Sequence, residues 1–239
     1  MNADSAVPPR PSPLLLRRLA ALFYDLWPVL ALWMLTAVPF TLLDVVASGG
    51  NTHHITVRGC DFGFIGGGDQ MGGEKTVRFG NGVEFWGAAH DNLVERCRLW
   101  EIYDAALTNQ SSGPNTPQYN IVYRFNIIWN SEYSFEYWNR PEASETHHVY
   151  FENNTCFNAG GGWGHAQRPD PSGRHLCFYD SPARAHDIYI RNNIFCEATR
   201  NAFYAPGWPK EAIDALDMDN NCWMQAEGQM IAFKDRAYT

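Results

Sequence analysis

The chain has few charged residues, and lysine is especially scarce. Charged residues make up 18% of the 239 residues, and 18 Lys and Arg against 26 Asp and Glu give a net charge of −8. After residue 50 the only lysines are Lys75, Lys210 and Lys234. Binding to a phosphate backbone requires clustered Lys and Arg. We therefore expect no nucleic-acid partner.

Two common cofactor motifs are also missing. The six cysteines contain no CxxC pair, which excludes zinc-ribbon and thioredoxin-like motifs. The glycine runs 66–68 and 160–162 are not followed by the Lys-Ser/Thr of a phosphate-binding loop, so we interpret them as tight turns. We expect no cofactor, except that a calcium ion is compatible with one of the functions considered below.

The composition changes near residue 45. Residues 1–13 are polar and rich in proline, and we predict a disordered tail. Leu26 to Leu43 are eighteen residues without charge, the lower limit for a membrane-spanning helix. For residues 14–46 we predict an apolar helix that is a membrane anchor, an export signal or a buried helix. Membrane contact through residues 19–43 would make the protein exported or membrane-anchored, with its main domain extracytoplasmic.

One part of this segment resembles a known membrane helix. Residues 16–28, LRRLAALFYDLWP, are similar to the first transmembrane helix of the RDD family of small bacterial membrane proteins. Arg18 and Asp25 match an Arg and an Asp that recur in that helix. The later helices of the family do not follow here, so the resemblance implies no RDD function and suggests a fusion junction around residues 44–50.

Residues 51–239 contain a repeat. Six segments share an apolar–x–apolar strand, then Cys or Asn three positions later, then another apolar residue two positions after that. The reference positions are Cys60, Cys97, Asn126, Asn154, Asn193 and Asn221. Alternation at period two indicates strands, and like residues in every repeat indicate stacked strands. We predict an all-β solenoid of about six coils, with the Asn side chains bonded between coils and Cys60 and Cys97 as buried fillers.

This Asn ladder resembles that of the right-handed parallel β-helix repeat proteins, the pectin-lyase-like superfamily. The resemblance covers residues 51–239 and implies a right-handed parallel β-helix that acts on carbohydrate. Members of that family usually have more coils and an initial capping helix, so this chain is similar to a truncated fragment with exposed sheet ends.

The histidines divide into two groups. His53, His90, His147 and His186 all lie seven positions before the reference residue, and the repeat explains them without a metal. His165 and His175 fall outside this column, in the polar segment 164–175. Repeat packing does not account for these two, which makes them candidates for function.

The loops are expected to form one wall of a cleft. The long connections 63–90, 108–118, 139–147, 164–185 and 203–215 mostly follow the same strand of each coil, so they should emerge on one side. Near them, alternation places Glu132, Ser134, Glu136 and Trp138 on one outer, solvent-facing side of a strand. Tyr133, Phe135 and Tyr137 then lie on the other side.

A carboxylate pair on this face predicts glycosidic-bond hydrolysis. Asp104 and Glu136 are the preferred pair, and His165 or Arg168 would tune their pKa values or orient the substrate. The predicted catalytic residues are Asp104, Glu136 and His165. The predicted substrate-binding residues are Trp138, Tyr133, Arg140, Arg168, Asp170, His175 and Asp180. The expected partner is a polysaccharide or oligosaccharide.

Three alternatives stay open at this point. A polysaccharide lyase of the same fold would use Arg140, Arg168 or Arg174 in place of lysine, and calcium is possible there. A non-catalytic glycan-binding or surface solenoid would carry scattered carboxylates. An inactive fusion fragment would show poor packing between the N-terminal segment and the first coil.

Overall fold

A computed structural model describes residues 51–69, 78–140, 145–179, 184–233 and 236–238, and these residues are mostly short strands. In chain order the strands are β1 (Thr52–His53), β2 (Thr56–Arg58), β3 (Asp61–Gly63), β4 (Gly68–Asp69), β5 (Arg78–Phe79), β6 (Val83–Trp86), β7 (Ala89–Glu95), β8 (Arg98–Trp100), β9 (Ala105–Ser111), β10 (Gln118–Arg124), β11 (Ile127–Trp129), β12 (Tyr133–Asn139), β13 (Thr146–Glu152), β14 (Thr155–Ala159), β15 (Arg174–Phe178), β16 (Ala185–Arg191), β17 (Ile194–Ala198), β18 (Asn201–Ala205), β19 (Asp217–Asp219), β20 (Cys222–Met224), β21 (Ile231–Phe233) and β22 (Arg236–Tyr238). A short helix, α1, spans Lys210–Asp214, and a 3-10 turn spans His165–Gln167.

The strands form three stacked parallel sheets. The first sheet has the order β1-β7-β10-β13-β16-β19, with β2 also on β7. The second has the order β3-β8-β11-β14-β17-β20, and the third has the order β6-β9-β12-β15-β18-β21-β22. The chain visits the three sheets in turn and then begins the next coil. Only β21–β22 and the small β4–β5 pair are antiparallel among the described strands. The predicted all-β parallel solenoid is therefore confirmed.

The repeat columns predicted from the sequence are the actual strand register. Tyr123 pairs with Val94 on one side and Phe151 on the other, and Phe151 pairs with Ile190. Each reference residue follows a residue with positive φ, such as Phe125 (56°) and Asn153 (56°), which turns the chain from the first sheet to the second.

The predicted Asn ladder is present at this corner. Asn154 Oδ1 accepts the backbone N–H of Asn126 at 3.0 Å, and Asn193 Oδ1 accepts that of Asn154 at 2.9 Å. Asn154 Nδ2 donates to the carbonyl of Tyr123 at 3.0 Å. All six cysteines are free; Cys97 is buried as predicted, whereas Cys60 is only half-buried.

Aromatic rings fill the solenoid interior. Phe135 lies 5.4 Å from Tyr123 and 5.1 Å from Phe151, between ring centroids, so side chains of the third and first sheets meet in the core. Phe195 of the second sheet stacks on Phe151 at 6.2 Å. Because no coil can bury these rings alone, the stack of coils supplies the core.

The loop prediction was partly wrong. Strand β6 lies inside the predicted connection 63–90, and β15 lies inside 164–185. These strands lack the Asn reference residue, so the repeat pattern did not reveal them.

The N-terminal predictions lie outside the described residues. These are the tail 1–13, the apolar helix 14–46 and the RDD-like segment. Within the described part of the chain, no helix is long and apolar enough to span a membrane.

Candidate functional site

The candidate site lies on the outer face of the third sheet, where side chains of successive coils stand in rows. One row, given by the strand register, contains Glu84, Thr108, Glu136, Cys177 and Tyr204. A second row places Gln110 between Trp86 and Trp138. Residues that are 24–41 positions apart in the chain are thereby brought side by side, because coils stack about 4.8 Å apart.

The predicted alternation along β12 fails at its first two residues. Ser134 is buried at 1% exposure and contacts His175 Nδ1 at 2.9 Å, while Phe135 packs in the core. Tyr133 instead contacts Ser172 and Tyr179 through its hydroxyl, each at 2.9 Å. No bridge pair includes Ser134, although the register keeps the same offset on either side of it, so the stacked strands bend together at this corner without an inserted residue. Tyr133 therefore joins Glu136 on the outer side, and Ser134 does not.

His175, predicted from the sequence to bind substrate, lies in the core. It is fully buried, and its ring lies 5.6 Å from that of Phe195. Burial lowers the pKa of His175 to about 4, so it is neutral in the core. The same corner that turns Ser134 inward places His175 beside it.

The prediction of an outer, solvent-facing groove is wrong in one respect, because the carboxyl groups of Glu132 and Glu136 are buried. Glu132 is 2% exposed and Glu136 is 6% exposed. The segment 160–173, which contains the 3-10 turn, supplies groups that bind Glu132. These carboxylates are therefore buried acids rather than solvated surface charges.

Glu132 anchors this segment. Its Oε1 accepts the backbone N–H of Ser172 at 2.6 Å and lies 3.6 Å from Arg168 Nε, and its Oε2 lies 2.9 Å from His165 Nδ1. The predicted catalytic His165 thus contacts Glu132 rather than Asp104 or Glu136. Glu132 was noted in the sequence only as a residue of the outer face, and nothing in its spacing marked it as the anchor.

Arg168 connects the segment to Asp104. Its Nη1 donates to Asp104 Oδ1 at 3.1 Å and to the carbonyl of Tyr103 at 2.8 Å. Its guanidinium also lies 5.1 Å from the Tyr103 ring centroid and 5.6 Å from that of Tyr133. Burial raises the pKa of Asp104, while the charge and hydrogen bond of Arg168 act in the opposite direction.

Glu136 is held by neutral groups. Thr108 Oγ1 and Gln110 Nε2 donate to its Oε2 at 3.2 and 2.7 Å, and within the described residues no cation lies within salt-bridge distance of it. Burial, and then the negative charge of Asp104, raise the pKa of Glu136 well above that of an ordinary glutamate. The two preferred carboxyl groups thus interact, and burial raises the pKa of both; at Asp104 the charge of Arg168 opposes this rise, whereas no described cation does so at Glu136.

Sequence reasoning missed Glu84. It lies two coils from Glu136 in the same row, roughly 9.6 Å away between backbones. Its Oε2 accepts a hydrogen bond from Asn81 Nδ2 at 2.8 Å, and its charge also contributes to the raised pKa of Glu136. Its strand was taken for a loop, but the alternation Val83-Glu84-Phe85-Trp86 was a usable signal.

Arg174 is a buried cation, and no carboxylate among the described residues forms an ion pair with it. It is 4% exposed, its guanidinium lies 3.6 Å from the centroid of the Tyr204 ring, and its Nη1 contacts Cys177 Sγ at 3.7 Å. Its Nε has no hydrogen-bond partner among the described residues. Burial raises the pKa of Cys177 to about 12, so this neighbour is a neutral thiol.

The remaining predicted residues lie at the edges of the site. The rings of Trp138 and Trp86 stack with their centroids 5.8 Å apart. The guanidinium of Arg140 lies 4.6 Å from the centroid of the Trp138 ring. Both tryptophans are partly exposed next to Gln110. Asp170 is an exposed residue of segment 160–173, and it is not one of the residues that bind Asp104, Glu132 or Glu136. Asp180 lies outside the described residues.

The fold and site together define a class of protein: a parallel β-strand solenoid with buried carboxylates, arginines and tyrosines on the outer face of one sheet. In comparisons with known proteins, no family model, curated protein or solved structure matches the chain.

Proposed function

We propose that this protein binds a polysaccharide or oligosaccharide on the outer face of its third sheet and hydrolyses a glycosidic bond there. The observation that carries the proposal is the difference between two neighbouring carboxyl groups. Burial raises the pKa of both groups, but Glu136 has only neutral hydrogen-bond donors and its pKa is raised well above the ordinary value, whereas Asp104 is paired with Arg168, which opposes the rise. Pairs of acids whose environments separate their pKa values are typical of acid–base catalysis.

In this proposal Glu136 is the general acid. It gives its proton to the glycosidic oxygen as that bond breaks, and the Asp104 carboxylate takes a proton from the water that attacks the anomeric carbon. Arg168 favours the ionised form of Asp104, against the effect of burial, and Gln110 orients the Glu136 carboxyl. Trp86 and Trp138 offer partly exposed apolar rings against which a sugar can pack.

We also propose that the solenoid is right-handed and of the pectin-lyase-like type, which the Asn ladder supports. An extracytoplasmic location, through an anchor or export signal in residues 14–46, is consistent with a polymeric substrate.

One observation favours a second candidate function, polysaccharide lyase activity. Arg174 is a buried guanidinium to which the described residues supply no counter-charge. The carboxylate of a uronate would supply that charge, and neutralising it would make the adjacent C–H proton easier to remove.

The test is product release from a panel of neutral and acidic polysaccharides by the full chain, Asp104→Asn and Glu136→Gln. We expect reducing ends from the wild type and a loss of at least about 100-fold in each variant. Glu211→Gln, an exposed glutamate of α1, is the matched control and should retain full activity. Ultraviolet absorbance of an unsaturated uronate would indicate the lyase. A folded wild type that binds glycans without product would contradict both catalytic functions.

A further inference from the structure

A second group of chemically capable side chains lies on the outer edge of the first sheet, away from the site described above. Five rings stack there in one column, His53, His90, Tyr119, His147 and His186, one from each coil. Their successive centroids are 4.9, 4.8, 5.3 and 5.2 Å apart, and their planes differ by 9° or less. We call this the ring column.

Each ring is followed by a residue in the left-handed conformation. The φ values are 59° at His54, 54° at Asp91, 57° at Asn120, 52° at His148 and 52° at Asp187. In an ordinary strand, neighbouring side chains point to opposite faces. The positive φ instead brings the side chain of the second residue beside the ring that precedes it. In four of the five coils the polar atoms of these two neighbouring residues are therefore in contact.

In four of the five pairs, the two side-chain atoms that lie closest together are both of a kind that can bind a metal ion. Two pairs are His–His: the Nδ1 atoms of His53 and His54 are 2.8 Å apart, and those of His147 and His148 are 2.6 Å apart. The other two pairs are His–Asp. Nδ1 to Oδ2 is 2.8 Å from His90 to Asp91 and 2.7 Å from His186 to Asp187.

Along the column, a His–His pair is followed by a His–Asp pair in the next coil at two places, so the same combination of four residues occurs twice. His53-His54 stacks on His90-Asp91, and His147-His148 stacks on His186-Asp187. Tyr119-Asn120 lies between the two sets and separates them. Three imidazoles and one carboxylate are the ligands that Zn²⁺ and its neighbours among the divalent transition metals prefer.

The spacing is close to what a four-coordinate ion requires. With coils about 4.8 Å apart, a point midway between the two pairs of a set lies roughly 2.8 Å from all four atoms. In a tetrahedral site with zinc–nitrogen bonds of about 2.0–2.1 Å the ligand atoms lie about 3.3–3.4 Å apart, so the rings must rotate out of their parallel stack until the two pairs approach by about 1.5 Å and the two atoms of each pair separate by about 0.6 Å. No three described His, Cys, Asp or Glu side chains already converge on one point, so side-chain rotation must complete each set. The atoms are accessible, since His53, His54, His186 and Asp187 are exposed.

A further carboxylate is positioned to support one set. Glu145 Oε1 lies 2.7 Å from His186 Nε2, on the opposite side of the ring from Nδ1. A carboxylate that holds the non-ligating nitrogen of a histidine fixes the ring for metal binding.

We propose that the ring column carries two equivalent binding sites for a divalent transition-metal ion of the Zn²⁺ type, one formed by His53, His54, His90 and Asp91 and the other by His147, His148, His186 and Asp187. Each ion links two adjacent coils of the first sheet. The proposal does not depend on the carbohydrate function.

The intervening coil provides the matched variants. His53→Tyr/His54→Asn and His147→Tyr/His148→Asn copy Tyr119-Asn120, which keeps the stacked ring and a residue that tolerates positive φ but removes two ligands. Calorimetric titration of the full chain with ZnSO₄ should give two ions per wild-type chain, one for each double variant and none for the combined variant. Unchanged stoichiometry in the combined variant, or no binding by the wild type, would overturn the proposal.

A second measurement needs only the wild-type protein. Bound Co²⁺ should give the visible d–d bands of a four-coordinate nitrogen and oxygen site. An intense thiolate-to-cobalt charge-transfer band would instead assign the ion to the cysteines and refute the proposal. Equal circular dichroism of all variants in the presence of chelator is the control for folding.

Discussion

Replacing Asn154 by leucine tests how the Asn ladder stabilises the solenoid. Asn154 is 1% exposed, and its side chain serves two backbone groups of the adjacent coil. Oδ1 accepts the N–H of Asn126 and Nδ2 donates to the carbonyl of Tyr123, both at 3.0 Å. Leucine has a similar size and no polar atom, so both backbone groups lose their partners inside the protein.

The expected magnitude follows from these two groups. A buried donor or acceptor left without a partner costs about 1–3 kcal/mol, so the free energy of unfolding should fall by about 2–6 kcal/mol. The added apolar burial of leucine offsets only part of this loss. Equilibrium urea unfolding of the full chain, followed by circular dichroism, measures the change.

Asn221→Leu is the matched control. Asn221 makes the same two kinds of bond, to the N–H of Asn193 at 3.0 Å and to the carbonyl of Ile190 at 2.6 Å, but it is half-buried on the last rung. Water can replace its bonds there, so we expect a loss below about 1.5 kcal/mol. Equal losses in the two variants, or a loss below about 1 kcal/mol for Asn154→Leu, would refute burial of the ladder as the source of its stability.

Two further predictions concern His175 and Glu132. The pKa of His175 in the folded protein, about 4, is below the 6.5 of an exposed histidine. As the pH falls from 6.5 toward 4, the unfolded chain therefore binds a proton that the folded protein does not, and the free energy of unfolding decreases; above pH 6.5 this loss is absent. His175→Gln should remove about 3 kcal/mol of this acid dependence of the free energy of unfolding, and an unchanged pH dependence in urea unfolding would contradict the burial. Glu132→Ala removes the carboxylate that binds Ser172, His165 and Arg168. Chymotrypsin should then cut after Trp163, in the same segment, at least about 10-fold faster, because local opening becomes easier by about 1.5 kcal/mol or more. Glu211→Ala should leave the cleavage rate unchanged, and equal rates in wild type and Glu132→Ala would show that Glu132 does not hold the segment.

The first and second sheets could be predicted from the sequence because their signals recur in every coil. The reference column and the apolar position three residues earlier were both correct, and Tyr123, Phe151 and Ile190 pair as the repeat requires. The third sheet was predicted less well. Its strands carry no Asn reference residue, and β6 and β15 lie in long segments between recognised repeats, which were therefore taken for loops.

The candidate site was only partly predictable for a related reason. Period-two alternation holds along most of β12, so Glu136 and Trp138 were assigned correctly to the outer side. The bend at Tyr133 and Ser134 interrupts the alternation at these two residues, and nothing in the local sequence indicates that bend. It reversed the assignment of both residues and moved His175 into the core. The role of Glu132 depends on groups 33–40 residues later, which spacing alone does not reveal.

The outer faces of the first and third sheets differ in how they treat charge, and this difference supports a functional third sheet. On the first sheet, Arg58 and Arg124 flank Glu95 at 2.5 and 2.8 Å, so the buried carboxylate is fully compensated. On the third sheet, Glu136 is buried with no described cation and Arg174 with no described anion. A buried carboxyl group without a cation and a buried guanidinium without an anion both cost stability, and a purely structural surface gains nothing from them. Both groups lie in one cluster with Asp104 and two tryptophans, and we propose that a ligand bound there uses both the proton of Glu136 and the charge of Arg174.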